Sequence, residues 1–223
     1  MQLFTVLVMS EYSSEIQLGW LASFSKASKY LVIATSLETI LIFSFLWWLI
    51  GIYLSSLVEN NFVDVEKLFF LVLSPQTQLI VLGLVVSVFL WLYAVFGEMI
   101  PSLRELETQG VDLGDSLTIV TVGIIAFLTL IAIQATILSI AYLILTDIIT
   151  LIIAYLLALG ILITYFLVHI GFFLILNKLG HVLSNRKFMI SGVLVLVSAF
   201  VFFLGPVAWF ISFMTARNLL NAT

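Results

Sequence analysis

Residues 117–177 form one long apolar stretch whose only formally charged side chain is Asp147, at its midpoint. The hydrocarbon core of a bilayer is about 30 Å thick, and roughly 20 apolar residues in a helix are enough to cross it. The stretch is therefore too long for a single transmembrane helix. We predict a transmembrane hairpin of two helices that reverses direction at Asp147.

The rest of the chain is similarly apolar, because hydrophobic residues make up 63% of it and charged residues only 9%. A soluble domain carries about a quarter charged residues to keep its surface in water. We therefore expect most of this surface to face a lipid bilayer. The net charge of −4 comes without a basic patch, so no nucleic acid is expected as a partner. The absence of cysteine excludes disulfides, iron–sulfur clusters, thiolate metal sites and cysteine nucleophiles.

The apolar segments predict an all-α fold, a polytopic transmembrane helix bundle of about five spans. Helices are expected because lipid cannot hydrogen-bond an exposed backbone. The predicted domains are an N-terminal interfacial segment, 1–29, and a transmembrane bundle, 30–217. The five spans are predicted at about residues 31–58, 79–96, 117–145, 148–177 and 188–214.

Two shorter segments are amphipathic. The helical spacing of apolar residues in 13–24 predicts a helix at the headgroup boundary, with Trp20 as its interfacial anchor. Residues 62–73 are too few to cross a bilayer, which predicts an interfacial or re-entrant segment. Gly205-Pro206 predicts a kink in the fifth span. Because no basic residue precedes the first apolar stretch, we expect a retained N-terminal segment and not a removable signal peptide.

The distribution of basic residues predicts the orientation of the chain. In a five-span arrangement with a cytoplasmic N-terminus, only Lys67 and Arg217 lie outside. This agrees with the excess of Lys and Arg that cytoplasmic loops carry. We therefore predict a multi-pass protein of the cell membrane with its N-terminus in the cytoplasm and its C-terminus outside. The basic residues assigned to the cytoplasmic side are Lys26, Lys29, Arg104, Lys178, Arg186 and Lys187.

Three parts of the chain share a pattern of apolar segments with glycine punctuation. They are the segment from Gly19 to Ser28, the connector with Phe96-Gly97 and Val111-Asp112-Leu113-Gly114, and the final part with Leu176-Asn177-Lys178-Leu179-Gly180 and Gly205-Pro206. Together they resemble an archaeal family of uncharacterised polytopic membrane proteins, although Ala27 and Ser28 stand where that family has an early glycine. The resemblance implies an all-helical membrane fold and adds no activity and no site residue.

Polar groups inside spans are the first candidates for function, because burial in hydrocarbon costs several kcal/mol unless they are paired or hydrated. Glu38 lies in span one beside Thr35 and Thr39, Gln134 near the middle of span three, and His169 in span four. Glu38 and His169 each lie about 12 Å from the cytoplasmic ends of their spans, at 1.5 Å per residue. Such a pair suits a proton relay or a cation site. The favoured interpretation is a hydrogen-bonded clasp that fixes helix packing, typically worth about 0.6–2 kcal/mol.

Several kinds of chemistry find no support in the sequence. His169 and His181 would lie about 18 Å apart along a helix, so one chain cannot hold a bis-histidine haem. Two histidines without thiols fall short of a zinc site. An aspartyl intramembrane protease requires its catalytic aspartate within a span, whereas Gly114-Asp115 lies in a predicted loop. Phosphate loops, dinucleotide fingerprints and nucleophile elbows are absent, and we predict no catalytic residue, metal or cofactor.

These observations predict a non-enzymatic accessory, scaffold or assembly component of a membrane. Its expected partners are the bilayer and other membrane subunits or further copies of the chain. The alternative is a small proton-coupled transporter or channel built on Glu38, Gln134 and His169, and an enzyme ranks third. The two leading hypotheses differ in one structural respect, which is whether those three side chains line a shared cavity.

Overall fold

The computed structural model describes residues 2–58, 74–144 and 148–222, and the described residues are all-α, with no strand. The fold class predicted from the sequence is confirmed. The elements, in chain order, are α1 (Gln2–Val58), α2 (Pro75–Leu92), a π-helix (Tyr93–Met99), α3 (Ile100–Thr108), α4 (Ser116–Ile144), α5 (Ile148–Val182), α6 (Arg186–Ser198) and α7 (Leu204–Ala222).

Within the described residues, four helical segments are long and apolar enough to cross a membrane. They are Gly19–Gly51, Thr77–Thr108, Ser116–Ile137 and Ile152–Val182. Their exposed side chains are large and apolar, as in Trp47, which is 79% exposed. Such a surface is suited to lipid and not to water, so the chain is a polytopic membrane protein.

The chain divides into two compact units. The first comprises Met1–Ser102 and Gly205–Thr223, and the second comprises Leu103–Leu204. In the first unit α1 packs antiparallel to α2 and the π-helix, because Ser87 contacts Glu38 whereas the later Glu98 contacts the earlier Lys26. The buried stripe of α1 follows helical spacing through Phe24, Ala27, Leu31 and Ala34.

In the second unit α4 and α5 form an antiparallel pair. Three glycines mark the contact, where a Cβ on Gly123 would meet Val168, one on Gly160 would meet Leu130, and one on Gly171 would meet Val120. These residue pairs are symmetric about positions 145–146 of the sequence. The chain therefore doubles back, as the predicted hairpin requires. Asp147 itself lies outside the described residues, and its place at the turn stays a prediction.

The second unit continues into a tight connection between α5 and α6. The Gly180 carbonyl accepts a 2.8 Å hydrogen bond from the Asn185 amide, and Ser184 adopts a left-handed conformation with φ 49°. The Asn185 side chain then caps α6 by accepting from the Lys187 amide at 3.0 Å. A Cβ on Gly180 would collide with Met189 Cγ and lie 3.1 Å from the Met189 backbone nitrogen, so glycine is needed for the close approach of the two helices.

The N-terminal boundary predicted near residue 29 is not a break in the structure. Helix α1 runs without interruption through the predicted interfacial segment and the first span. The sequence-based boundary relied on Lys26 and Lys29, but lysine is a good helix former and a charge does not end a helix. Trp20 is not an interfacial anchor either, since it is 3% exposed and packs edge-on against Phe24 at 6.3 Å.

The fifth span predicted at 188–214 is also corrected, because the structure divides it into α6 and α7 with a turn at 199–203. A proline ring clashes with the carbonyl four residues before it, so a helix cannot continue through Phe202 to Pro206. The chain breaks upstream and Pro206 falls in the first turn of α7, where its missing amide hydrogen is not needed. At about 20 Å, α6 alone is shorter than a bilayer core.

The second span begins earlier and ends later than predicted. Ser74 caps α2 by accepting from the Thr77 amide at 3.3 Å, and Pro75 occupies the first helical turn. Helical structure continues through the π-helix to Thr108, so the non-helical connection to the third span is limited to 109–115. The predicted interfacial or re-entrant segment 62–73 lies outside the described residues.

Candidate functional site

Glu38 lies where α1 meets α2, and its hydrogen-bond partner there is Ser87. The Ser87 hydroxyl is 2.9 Å from Glu38 Oε1 and 3.0 Å from the carbonyl oxygen of Ala34. Ser87 is fully buried, and so is Ala34, whereas Glu38 is half-buried. The carboxyl group is thus fixed to the neighbouring helix and not left in an open groove.

The two threonines that flank Glu38 in sequence serve their own helix. Thr35 donates to the Leu31 carbonyl at 2.7 Å and Thr39 donates to the Thr35 carbonyl at 2.7 Å. Such back-bonding satisfies a hydroxyl without a tertiary partner. The grouping of Glu38 with these threonines, suggested by the sequence, is therefore not a polar site.

Ser87 was missed by the sequence reasoning, although a signal for it exists. Gly83 lies four residues before Ser87 and forms a small-residue face with it. Such faces allow close approach of transmembrane helices. A Cβ on Gly83 would lie 2.7 Å from Leu41 Cδ1, which shows that this face is where α2 meets α1.

His169 takes its hydrogen bond within its own helix. Its Nδ1 is 2.9 Å from the Tyr165 carbonyl oxygen, and its ring lies 4.3 Å from the Tyr165 ring. The carbonyl only accepts, so Nδ1 carries the hydrogen in this bond. The Tyr165 ring in turn lies 6.2 Å from Phe127 of α4. His169 is therefore part of an aromatic contact between α4 and α5.

Gln134 lies on α4, at a different level from His169. Its Oε1 is shielded from solvent and accepts no hydrogen bond among the described groups. The pairing of Gly123 with Val168 and of Gly160 with Leu130 places Gln134 beside the part of α5 near residue 157. His169 is about 12 residues further along α5, or about 18 Å at 1.5 Å per residue. Gln134 and His169 do not meet within the second unit.

A polar cluster that the sequence did not predict joins α1 to the π-helix. Lys26 forms an ion pair with Glu98, and the Tyr93 hydroxyl donates to the same carboxylate oxygen at 2.8 Å. The Tyr93 ring also packs edge-on against Tyr30 at 5.4 Å. In the sequence, Lys26 contributes only to the predicted orientation of the chain, and no sequence pattern predicts a π-helix.

The described residues hold no group of three or more His, Cys, Asp or Glu side chains arranged to bind a metal. No protein-family model matches the chain, and no curated protein or solved structure matches it either. The resemblance to an archaeal membrane-protein family therefore stays a prediction.

Proposed function

We propose that this protein is a non-enzymatic accessory, scaffold or assembly component of a membrane. The observation that carries the proposal is the local pairing of the candidate polar groups. Glu38 bonds to Ser87 within the first unit, and His169 bonds to Tyr165 within the second. The Glu38–Ser87 bond joins two helices, and interhelical hydrogen bonds stabilise helix packing in membranes. The His169 bond lies within α5, where its Tyr165 partner packs against Phe127 of α4.

The partners of such a component are lipid and other transmembrane helices, including further copies of this chain. Support comes from the exposed apolar side chains of all four long segments, exemplified by Phe89 at 67% and Tyr155 at 72% exposure. The finer location that we propose is the cell membrane, with a cytoplasmic N-terminus and an outside C-terminus. It rests on the basic residues, because Lys and Arg favour the cytoplasmic side.

The alternative function is proton-coupled transport through Glu38, Gln134 and His169. One observation favours it, which is that Glu38 lies in the apolar part of α1 without a counter-ion on either of the two paired helices. Neither α1 from residue 31 onward nor α2 carries a lysine, arginine or histidine. Intramembrane carboxyl groups of this kind mark ion pathways in many transporters. The separation of Gln134 from His169 speaks against a three-residue site.

The test is proton flux in vesicles reconstituted with the purified chain. We expect an imposed membrane potential to drive no more proton entry than in empty vesicles, measured with a trapped pH-sensitive dye. Glu38→Gln, His169→Ala and the control Thr129→Ala should behave alike, because Thr129 is an exposed residue of α4 that bonds only its own helix.

The same chain in its native membranes should migrate as part of a larger assembly on non-denaturing gels. Flux that is lost specifically in Glu38→Gln or His169→Ala would replace the accessory function by transport. Migration as a lone protomer, together with no flux, would refute both functions.

A further inference from the structure

The hydrogen bonds at the contact of α1 with α2 bear on the charge of Glu38. Ser87 Oγ lies within hydrogen-bond distance of two oxygen atoms, the Ala34 carbonyl at 3.0 Å and Glu38 Oε1 at 2.9 Å. A serine hydroxyl has one hydrogen to donate, and a backbone carbonyl has none. Ser87 can therefore make a well-aligned hydrogen bond to only one of the two oxygen atoms.

An ionised Glu38 would leave one of these contacts without a hydrogen. If Ser87 donated to the carboxylate, its lone pairs would face the Ala34 carbonyl oxygen. If Ser87 donated to Ala34, two acceptors would face each other at 2.9 Å. A neutral Glu38 resolves both, because its hydroxyl donates to Ser87 and Ser87 donates to Ala34.

The charges around Glu38 agree with this arrangement. No lysine, arginine or histidine occurs in α2 or in α1 beyond residue 30, so neither helix offers a counter-ion. The π-helix that packs on α1 brings Tyr93 and Glu98, of which Glu98 pairs with Lys26 and Tyr93 donates to Glu98. Lys26 is about 18 Å from Glu38 along the helix. A charged carboxylate would thus be half-buried with a single hydroxyl partner and no counter-ion from these elements, which is costly.

We propose that Glu38 is a proton-binding site, a neutral carboxylic acid that donates to Ser87 and can be modified from the lipid phase by apolar carbodiimides. The proposal goes beyond the accessory function and does not rest on it, because a fixed proton serves helix packing whether or not protons move. In the modification, the carboxyl oxygen bonds to the central carbon of the carbodiimide and its proton moves to one nitrogen. The acyl group then shifts to the other nitrogen to give a stable N-acylurea, and nothing leaves.

Infrared spectra of the chain in lipid vesicles at pH 7 test the proposal directly. A protonated carboxylic acid has a carbonyl band at higher frequency than either carboxylate band, and water-exposed Asp and Glu are ionised at this pH. We expect the band in the wild type, its loss in Glu38→Gln and its retention in the matched control Glu107→Gln on α3. Absence of the band from the wild type would overturn the proposal.

Labelling with dicyclohexylcarbodiimide locates the proton without any variant. Peptide mapping of the wild type should find the adduct on the fragment that contains Glu38, whereas a water-soluble carbodiimide with an added amine should leave that fragment unmodified. This measurement decides the matter if Glu38→Gln fails to fold. A Glu38 fragment that stays unmodified by the apolar reagent would sink the proposal.

Discussion

Glycines of the second unit show how closely two apolar helices can approach where a residue has no side chain. A Cβ on Gly171 would lie 2.5 Å from Val120 Cγ2 and 3.1 Å from the Val120 backbone nitrogen. The first of these atoms can move, but the second belongs to the backbone of α4 and cannot. By contrast, Gly51 of α1 has no atom within 4 Å of the position its Cβ would take.

Gly171→Ala and Gly51→Ala therefore form a matched pair with opposite expectations. Overpacking typically costs about 1–3 kcal/mol, so Gly171→Ala should lower the thermal unfolding midpoint in detergent. Gly51→Ala should leave the midpoint unchanged or raise it, since alanine in a helix interior is favoured over glycine by up to about 1 kcal/mol. Equal midpoints for the two variants would contradict the close packing of α4 on α5.

The candidate polar residues also illustrate what single positions reveal. Glu38 is recognisable from the sequence because it is the one carboxyl group in the apolar run 31–58. Its partner Ser87 is not, because serine is common in transmembrane helices and usually bonds its own backbone. Glu38 and His169 have the same predicted depth from the cytoplasmic ends of their spans, but depth along the membrane normal does not determine which helices are neighbours.

At the level of the helix, the π-helix determines a contact that an α-helix would not make. Tyr93 and Glu98 are five residues apart, which in an α-helix of 3.6 residues per turn places them on different faces. The wider turn of a π-helix, with its i to i+5 bonding, brings such residues together. The Tyr93 hydroxyl can then reach the Glu98 carboxylate while that carboxylate pairs with Lys26 of α1.

The antiparallel pairing of α4 with α5 can be tested by disulfide cross-linking. The chain has no cysteine of its own, so an introduced pair is unambiguous. A Cβ on Gly123 would lie 3.8 Å from the Val168 Cα and 3.0 Å from Val168 Cγ2, which is close enough for a disulfide. Gly123→Cys with Val168→Cys should cross-link on mild oxidation.

The control for that experiment is Gly123→Cys with Gly160→Cys. Gly160 is about 12 Å from Val168 along α5, so a cysteine at Gly160 should be too far from Gly123→Cys and this second pair should stay reduced. Efficient oxidation of the control pair, or none of the first, would show that the two helices are packed in a different register.

For the whole molecule, the structure gives two compact units and four segments long enough to cross a membrane among the described residues. In the first unit the antiparallel helices place Lys26 and Glu98 at the same end. In the second, Lys178 Nζ lies 2.7 Å from the position of a Gly114 Cβ, so the 109–115 connection and the basic end of α5 are together. In the proposed orientation, both of these lysines lie on the cytoplasmic side.

Single-cysteine labelling tests that orientation in intact cells with a thiol reagent that does not cross membranes. Two positions are exposed in the structure, His181 at the end of α5 and Asn221 near the end of α7. We expect Asn221→Cys to react from outside and His181→Cys to react only after permeabilisation. The reverse pattern would invert the proposed topology, and labelling of both from outside would contradict it.

Composition and segment length are enough to identify lipid as the surroundings of this chain and all-α as its fold class. A chain that is 63% hydrophobic and 9% charged must present apolar surface to lipid. Lipid leaves the backbone only internal hydrogen bonds, so these segments must be helices. The hairpin followed from length alone, because residues 117–177 exceed one bilayer crossing. These properties depend on composition and length, which are additive along the chain.

Which helices are in contact, and which partners their polar groups find, became known only from the packing of the helices. It joined Glu38 to Ser87, separated Gln134 from His169 and placed Glu98 against Lys26 through the π-helix. It also continued α1 through the predicted boundary and divided the fifth span. The physical reason is that partner choice depends on how two surfaces fit, including where glycine permits contact. A hydrophobic pattern is shared by many pairings and therefore specifies none of them.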